Sequence, residues 1–139
     1  MVRFIVDGEP QGKQRPRFAR RGSYVKTYTP QRTIDYEERI RECYREQVGS
    51  EILVDVPVRI NIIAYFSIPK SFSKRKRQDA IKNYVKPHNR IDVDNIAKAV
   101  LDALNGVAYQ DDHYVTNLTV WKQYAEQPRL EIRVSEVKL

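Results

Sequence analysis

The sequence predicts an α+β fold, a single small domain spanning residues 1–139 with a mixed β-sheet packed by about three helices. A length of 139 residues suits one domain, and 41% hydrophobic residues can build a core. Val56–Ser67 alternates apolar and polar residues as a half-buried strand does, whereas Asn95–Leu104 has the spacing of an amphipathic helix. The two periods in one short chain predict mixed secondary structure.

In the N-terminal half, glycine and proline residues indicate where the predicted helices and strands begin and end. Val2–Val6 predicts a short strand. Gly8–Thr29 is rich in glycine and proline, and it predicts a long basic loop with an extended piece around Tyr24–Tyr28. A helix follows with Thr29 as its N-cap and Pro30 as its first residue, and we expect it to end at Gly49.

The C-terminal half alternates helices and strands. Ser73 to about Val85 predicts a basic helix or ordered loop, and Asn95–Leu104 ends at an Asn-Gly pair. Tyr114–Tyr124 reads as a strand that is apolar on both faces, and Leu130–Val134 alternates as the last one. Only a short connection separates these two strands, so we expect an antiparallel hairpin.

Composition excludes several classes of protein. The lone Cys43 excludes an internal disulfide framework, and with only two histidines a zinc site of the Cys/His kind is excluded too. We expect no membrane span and no signal peptide, because no apolar run is long enough and Val2–Val6 is soon followed by charge. The expectation is a cytoplasmic protein that needs no small-molecule cofactor.

The net charge of +7 is unevenly distributed along the chain. Residues 10–34 contain seven basic residues and no acid, and residues 70–77 contain five more and no acid. Residues 91–112 contain five aspartates and one lysine. Two basic blocks and an acidic one in a single short chain favour a polyanionic ligand handled by a carboxylate site, although each block alone could be an ordinary solvated face.

The acidic block places its charges on one side of a helix. At about 100° per residue, Asp94, Lys98 and Asp102 share one face, and Asp92 lies just before the first turn. Such an Asp-x-Asp pair at a helix start is also compatible with simple capping and dipole complementarity. The spacing alone leaves both interpretations open.

Two further aspartates, Asp111 and Asp112, follow the helix and lead into the next strand. The intervening turn is long enough to bring them back beside Asp92 and Asp94. Clustered carboxylates without sulfur or much imidazole select a hard cation such as Mg²⁺, with Mn²⁺ as a substitute. A metal held in this way can activate water against a phosphate, and Lys98 could stabilise the developing charge.

The ordered pattern resembles the RusA family of Holliday-junction resolvases. It consists of Arg90-Ile-Asp92-Val-Asp94-Asn95-x-x-Lys98, then Asp102-Ala-Leu, then Asp111-Asp112 before a strand. Gly8-x-Pro10-x-x-Lys13-x-Arg15-Pro16-Arg17 and Tyr28-Thr29-Pro30 resemble the phage and Gram-positive branch of the family. The resemblance covers most of the chain, although its basic loops are longer than in the shortest members.

The resemblance implies a RusA-like homodimer that resolves four-way DNA junctions by paired, Mg²⁺-dependent hydrolysis in recombination and repair. It implies Asp92, Asp94 and Asp112 as catalytic metal-binding carboxylates and Lys98 as the catalytic lysine. Asp111 is an alternative metal ligand beside Asp112. Asp102 matches the pattern, but it could simply hold Lys98.

Branched DNA is the partner that the basic blocks favour, because phosphate neutralisation gives strong binding without sequence preference. The expected DNA-binding residues are Lys13, Arg15, Arg17, Arg20, Arg21, Lys74, Arg75, Lys76 and Arg77. Phe18 and Tyr24 could stack on an unpaired base or pack the loop onto the sheet.

Assembly and function leave further alternatives. We assign Phe72 and Trp121 to packing, with Val115, Leu118 and Trp121 as candidates for a surface covered in a dimer. The alternatives to a resolvase are a DNA-binding module whose aspartates only cap a helix, and a metal nuclease with other substrates, such as RNA or simple flaps.

Overall fold

The computed structural model describes residues 1–138. Its elements in chain order are β1 (Val2–Asp7), β2 (Arg17–Arg21), β3 (Tyr24–Tyr28), α1 (Gln31–Gln47), β4 (Val58–Ser67), α2 (Lys74–Ile81), α3 (Val93–Leu104), a short 3₁₀ turn (Asp112–Tyr114), β5 (Val115–Ala125) and β6 (Arg129–Glu136). Four strands form a sheet in the order β1-β6-β4-β5, and β2 pairs with β3 separately. This confirms the predicted α+β class, the mixed sheet and the three helices.

β4 is the central strand around which the core forms. Its even-numbered residues from Val58 to Phe66 are all buried, as the alternation predicted. β4 runs parallel to β5 on one side and antiparallel to β6 on the other. Helices α1 and α3 pack against one another, with α1 on β1 and α3 on β5, so the core lies between these helices and one face of the sheet.

The predicted β5–β6 hairpin is wrong, because β4 lies between the two strands. Residues 126–128 connect them, and three extended residues reach about 10 Å, enough to cross two strand spacings of about 4.8 Å. β4 is apolar on one face and half-buried on the other, which suits a central position. β5 carries exposed polar residues such as Asn117 and Thr119, which suit an edge.

The prediction for residues 8–29 is wrong in part: the extended piece expected around Tyr24–Tyr28 is strand β3, but its partner β2 was not predicted. Gly22 has a φ of 62°, and Gly22-Ser23 closes the two-residue turn between Arg21 and Tyr24. A glycine in the first of two turn positions is what a type II′ hairpin requires. The turn chemistry was present in the sequence, but several other Gly and Pro residues nearby obscured it.

The boundaries of α1 and α3 follow the prediction to within two residues, whereas α2 ends at Ile81, four residues before the predicted end near Val85. α1 begins at Gln31 with Pro30 at the cap position, so Thr29 is not the N-cap. The end is as predicted, since the amide of Gly49 donates to the carbonyl of Tyr44 and Gly49 has a φ of 101°. α2 is a true helix, and the Ser73 hydroxyl accepts from the amide of Lys76. None of the described helices has the length and apolar character needed to cross a membrane.

Candidate active site

Helix α3 presents an acidic face to solvent. Asp94, Lys98 and Asp102 are all exposed, as the helical spacing predicted. The opposite face consists of buried small and branched residues: Ile96, Ala97, Ala99, Val100, Ala103 and Leu104. Because this apolar face is locked into the core, the three polar side chains are held on a rigid element.

Asp92 occupies the cap position of α3 but does not act as a side-chain cap. Its backbone carbonyl accepts hydrogen bonds from the amides of Asn95 (3.1 Å) and Ile96 (3.2 Å). Within the described chain its carboxylate makes no capping hydrogen bond, and it is exposed. The interpretation of Asp92 as a simple capping residue is therefore not supported, and its carboxylate is available for another ligand.

A tight turn after α3 is fixed by Tyr109. The Tyr109 hydroxyl is buried and donates to the carbonyl of Leu101 (2.8 Å). The amide of Gly106, at a φ of 75°, donates to the carbonyl of Tyr109 (2.9 Å). The pKa of Tyr109 is raised, mainly by burial and then by the negative charges of Asp112, Asp102 and Asp111. Tyr109 thus brings the Asp111–Asp112 pair back towards α3.

Asp111 and Asp112 form a coupled pair of carboxyl groups. Hydrogen bonds from the amide of His113 and then from Asp112 lower the pKa of Asp111. The pKa of Asp112 is raised by its hydrogen bond with Asp111, and further by desolvation and by the charges of Asp111 and Asp102. Asp112 therefore retains a proton more readily than an isolated aspartate, which is the position where a cation could replace the proton.

Lys13 binds the acidic face from the N-terminal segment. Its ammonium lies 2.6 Å from a carboxylate oxygen of Glu37 on α1 and 3.0 Å from one of Asp102. Although desolvation lowers the pKa of Lys13, the hydrogen bonds to Glu37 and Asp102 outweigh it, so the pKa is raised. Asp102 is therefore paired with Lys13, and not with Lys98 as the alternative interpretation held.

The backbone around Lys13 lies directly on α3. The Lys13 amide donates to the carbonyl of Asn95 (2.9 Å), and the Gln14 amide donates to the Thr33 hydroxyl (3.2 Å). A Cβ atom at Gly12 would lie 2.5 Å from Ile91 Cγ2 and 3.1 Å from Asn95 Cβ. We call residues 11–14 the base segment, because they anchor the β2–β3 hairpin to the start of α3.

The predicted metal-binding carboxylates lie on two segments, the start of α3 and the 3₁₀ turn that precedes β5. Asp92 and Asp94 lie at the N-terminal end of α3, whereas Asp102, whose charge acts on Asp112, is eight residues further, about 12 Å along the axis. Within residues 1–138 no group of three Asp, Glu, His or Cys side chains is arranged to hold a metal ion. The donors fit Mg²⁺ in chemistry, being exposed carboxylates, and the metal site stays a prediction.

Comparison with known proteins identifies the relatives of this chain. The family model described as Endodeoxyribonuclease RusA matches residues 7–135. The chain belongs to the RusA endodeoxyribonuclease family. It is also 36% identical over 138 residues, 98% of its length and 96% of the relative's, to the uncharacterized protein YqaN of Bacillus subtilis (strain 168). The family assignment confirms the resemblance and supports a hydrolase that cleaves DNA internally.

The DNA-binding residues predicted for this RusA-family chain lie on two separate elements. Arg17, Arg20 and Arg21 are exposed on β2, and Arg15 is exposed just before it. Lys74, Arg75 and Lys76 are exposed in the first turn of α2, and Arg77 is half-buried. Lys13 differs from the others because two carboxylates already hold its ammonium. DNA contact by these residues stays a prediction.

The exposure of the aromatic residues agrees only in part with the roles predicted for them. Phe72 packs edge-on against Tyr124, with ring centroids 5.6 Å apart, as assigned. Phe18 and Tyr24 do not pack onto the sheet, since 73% and 64% of their surfaces are exposed. Trp121, assigned to packing, is 55% exposed on the edge strand.

Sequence reasoning missed two residues that shape the site, Tyr109 and Glu37. Tyr109 is one of nine tyrosines, and its burial depends on the turn that follows α3. Glu37 lies among several charged residues of α1, and only the packing of α1 on α3 brings it to Lys13.

Proposed function

We propose that this RusA-family chain is a Mg²⁺-dependent, structure-selective endonuclease that resolves four-way DNA junctions by paired phosphodiester hydrolysis. The observation that carries the proposal is the family match over residues 7–135. The exposed carboxylates at the start of α3 support it, because the side chains of Asp92 and Asp94 form neither capping hydrogen bonds nor ion pairs with other described residues. We place the activity in recombination and repair of cytoplasmic DNA.

The acidic face supplies the residues for metal binding. Asp92, Asp94 and Asp112 would hold Mg²⁺ or Mn²⁺, with Asp111 as the alternative to its neighbour. When bound, such a metal activates water and stabilises charge on the scissile phosphate. Because Asp112 lies in the turn outside α3, we expect a bound cation to offset the repulsion between the carboxylates and to draw Asp112 towards Asp92 and Asp94.

Lys98 is proposed as the catalytic lysine. It lies one helical turn from Asp94 and one turn from Asp102, on the same exposed face. An ammonium in this position can contact a non-bridging phosphate oxygen and stabilise the charge that develops there. Since Asp102 is held by Lys13, Lys98 is free to face the substrate.

The first turn of α2 supports DNA binding through its unfavourable electrostatics. Four consecutive cations, Lys74 to Arg77, follow the cap residue, and the first turn contains no acid. Cations there oppose the positive end of the helix dipole, which costs each exposed charge roughly 0.3–1 kcal/mol. A bound phosphate backbone would relieve this repulsion, so the four cations at the start of α2 favour a DNA-binding role.

A homodimer is part of the proposal because a junction must be cut on two strands, and a two-fold dimer supplies one site for each cut. β5 is an edge strand of 11 residues, which offers unpaired backbone groups to a second copy. Leu118 and Trp121 are 43% and 55% exposed there, although they point to opposite faces of the sheet. Light scattering of the wild type and of Trp121→Glu tests the dimer.

The decisive experiment is cleavage of a labelled synthetic four-way junction in Mg²⁺. Wild type should nick it in symmetrical pairs, and Asp92→Asn should lose at least about 100-fold in rate. Asp35→Asn is the matched control, since that exposed aspartate on α1 accepts a hydrogen bond from Gln31 and forms no ion pair with another residue between 1 and 138. Binding without cleavage would indicate the DNA-binding module, and preferred cutting of linear DNA, flaps or RNA in competition would indicate another substrate.

A further inference from the structure

The β2–β3 hairpin leaves its side chains exposed on both faces. All five residues of β3 are exposed, and so are four of the five in β2. Phe18, Tyr24 and Tyr28 expose 73%, 64% and 44% of their surfaces. Aromatic residues concentrated on a short exposed hairpin indicate a ligand-binding element, because isolated exposed aromatics would need no explanation but a group of them does.

The strand register sorts these side chains onto two faces. Arg17 lies opposite Tyr28, and Arg21 lies opposite Tyr24. Because successive residues of a strand alternate, these pairs share one face with Lys26. We call it the tyrosine face. The other face carries Phe18, Arg20, Val25 and Thr27.

The tyrosine face combines the two groups that single-stranded nucleic acids require. Aromatic rings offer stacking platforms for bases of any sequence, while cations follow the phosphates. Tyr24 and Tyr28 are four residues apart, about 13 Å along the strand, and Lys26 lies midway between them. Rings this far apart cannot both stack on one base or enter one base step, since stacked bases of a duplex are about 3.4 Å apart, so each ring needs a base of its own. They suit bases that are already unstacked.

Charge complementarity identifies the occupant as nucleic acid. Residues 10–34 hold seven cations and no acid, so the hairpin itself offers nothing that would attract a basic or neutral protein surface. A phosphate backbone supplies the opposite charge, and the rings need exposed bases. A paired duplex would satisfy the cations but leave Tyr24 and Tyr28 without a partner.

We propose that the tyrosine face binds an unpaired DNA strand, with bases stacked on Tyr24 and Tyr28 and the phosphates along Arg17, Arg21 and Lys26. The inference rests on the proposed function, because it supplies the branched-DNA enzyme with a surface for strands opened at the branch point. The base segment attaches the hairpin to α3, since Lys13 binds Asp102 and its amide binds the Asn95 carbonyl. The strand is therefore held by an arm that is fixed to the acidic helix.

The experiment measures binding in EDTA, where no cleavage is needed. The probes are a fluorescent single-stranded oligonucleotide and the duplex of the same sequence. Tyr24→Ala/Tyr28→Ala should weaken single-strand binding about fivefold or more for each ring, because base stacking contributes about 1–3 kcal/mol. Duplex binding and the salt dependence should not change, since no cation is removed.

Two variants make the outcome specific. Val25→Ala/Thr27→Ala removes exposed side-chain atoms from the other face without removing an aromatic ring, and it should leave single-strand affinity unchanged. Tyr24→Phe/Tyr28→Phe keeps both rings and should retain binding, which shows that the rings and not the hydroxyl groups are needed. Unchanged duplex binding by the alanine variant shows that its loss does not arise from misfolding. An unchanged affinity in Tyr24→Ala/Tyr28→Ala overturns the proposal. Equal losses on duplex DNA, equal losses in the control variant, or a loss that follows a change in oligomeric state overturn it as well.

These outcomes can be separated from failure of the proposed function. If the wild type does not cleave junctions but the tyrosine variant loses single-strand binding, the endonuclease proposal fails and the hairpin inference stands. If the wild type cleaves junctions and the tyrosine variant binds single strands normally, only the hairpin inference fails.

Discussion

Gly12→Ala should loosen the contact between the base segment and the start of α3. The added Cβ would lie 2.5 Å from Ile91 Cγ2, whereas ordinary contacts begin at 3.4 Å, so the two must separate by at least 0.9 Å. Overpacking of this kind typically costs about 1–3 kcal/mol. For a chain of this size we expect Tm to fall by roughly 3–5 °C per kcal/mol. Ile91 directly precedes Asp92, so a shift near 1 Å should also slow junction cleavage by up to about 100-fold.

The assay combines thermal unfolding with junction cleavage in Mg²⁺. Ile91→Ala removes the atom that the new methyl group meets, so Gly12→Ala/Ile91→Ala should be less destabilised than the sum of the two single variants. Ser23→Ala, at the exposed tip of the hairpin, is the control and should change neither Tm nor rate. Normal stability and activity of Gly12→Ala, or strict additivity in the double variant, would show that the base segment is not packed on Ile91 as described.

Three further predictions concern the acidic face. Lys13→Met should lower the free energy of unfolding by about 1–2 kcal/mol, because two charge-assisted hydrogen bonds are lost. Urea unfolding of Lys13→Met, Asp102→Asn and the double variant should give a coupling energy of at least about 0.5 kcal/mol between the two residues, and a coupling energy of zero would contradict the ion pair. Asp112→Asn should abolish cleavage and raise Tm at pH 7, because the folded-state pKa of Asp112 is raised and the native protein therefore loses stability as pH rises through that pKa. The gain in Tm should vanish near pH 3, where the carboxyl group is protonated in both the folded and the unfolded state. A Tm difference that does not depend on pH would argue against the raised pKa. Tyr109→Phe should cost about 0.5–1.5 kcal/mol in urea unfolding, because the Leu101 carbonyl loses one of its two donors and keeps the amide of Asn105, and an unchanged midpoint would contradict that bond.

The sequence predicted the features that depend on local periodicity. The alternation of β4 and the two faces of α3 are confirmed, because residues that share a face along one element need no knowledge of the rest of the chain. The same local reasoning placed Asp94, Lys98 and Asp102 side by side. Their chemical roles depend on ligands and on distant segments, and these roles stay predictions.

Features that depend on tertiary pairing could not be predicted from the sequence. A short link between β5 and β6 favoured a hairpin, yet the more apolar β4 took the place between them. The Lys13–Asp102 ion pair joins residues 89 positions apart, and no pattern selects Lys13 over the other six cations of residues 10–34. β2 was missed for another reason, since a short exposed strand lacks the apolar alternation by which buried strands are recognised, whereas the extended piece predicted around Tyr24–Tyr28 is β3.

The position of β6 also sets the order in which the protein can fold during synthesis. β6 is the last described strand to leave the ribosome, yet it pairs with β1 on one side and β4 on the other, with Val2 opposite Val134. Until then β1 has no partner in the sheet and β4 has an open edge on that side, which exposes both to pairing with other chains. Contacts across nearly the whole chain also slow folding. A nascent or truncated chain without β6 should therefore aggregate, even though every residue of the acidic helix has already been made.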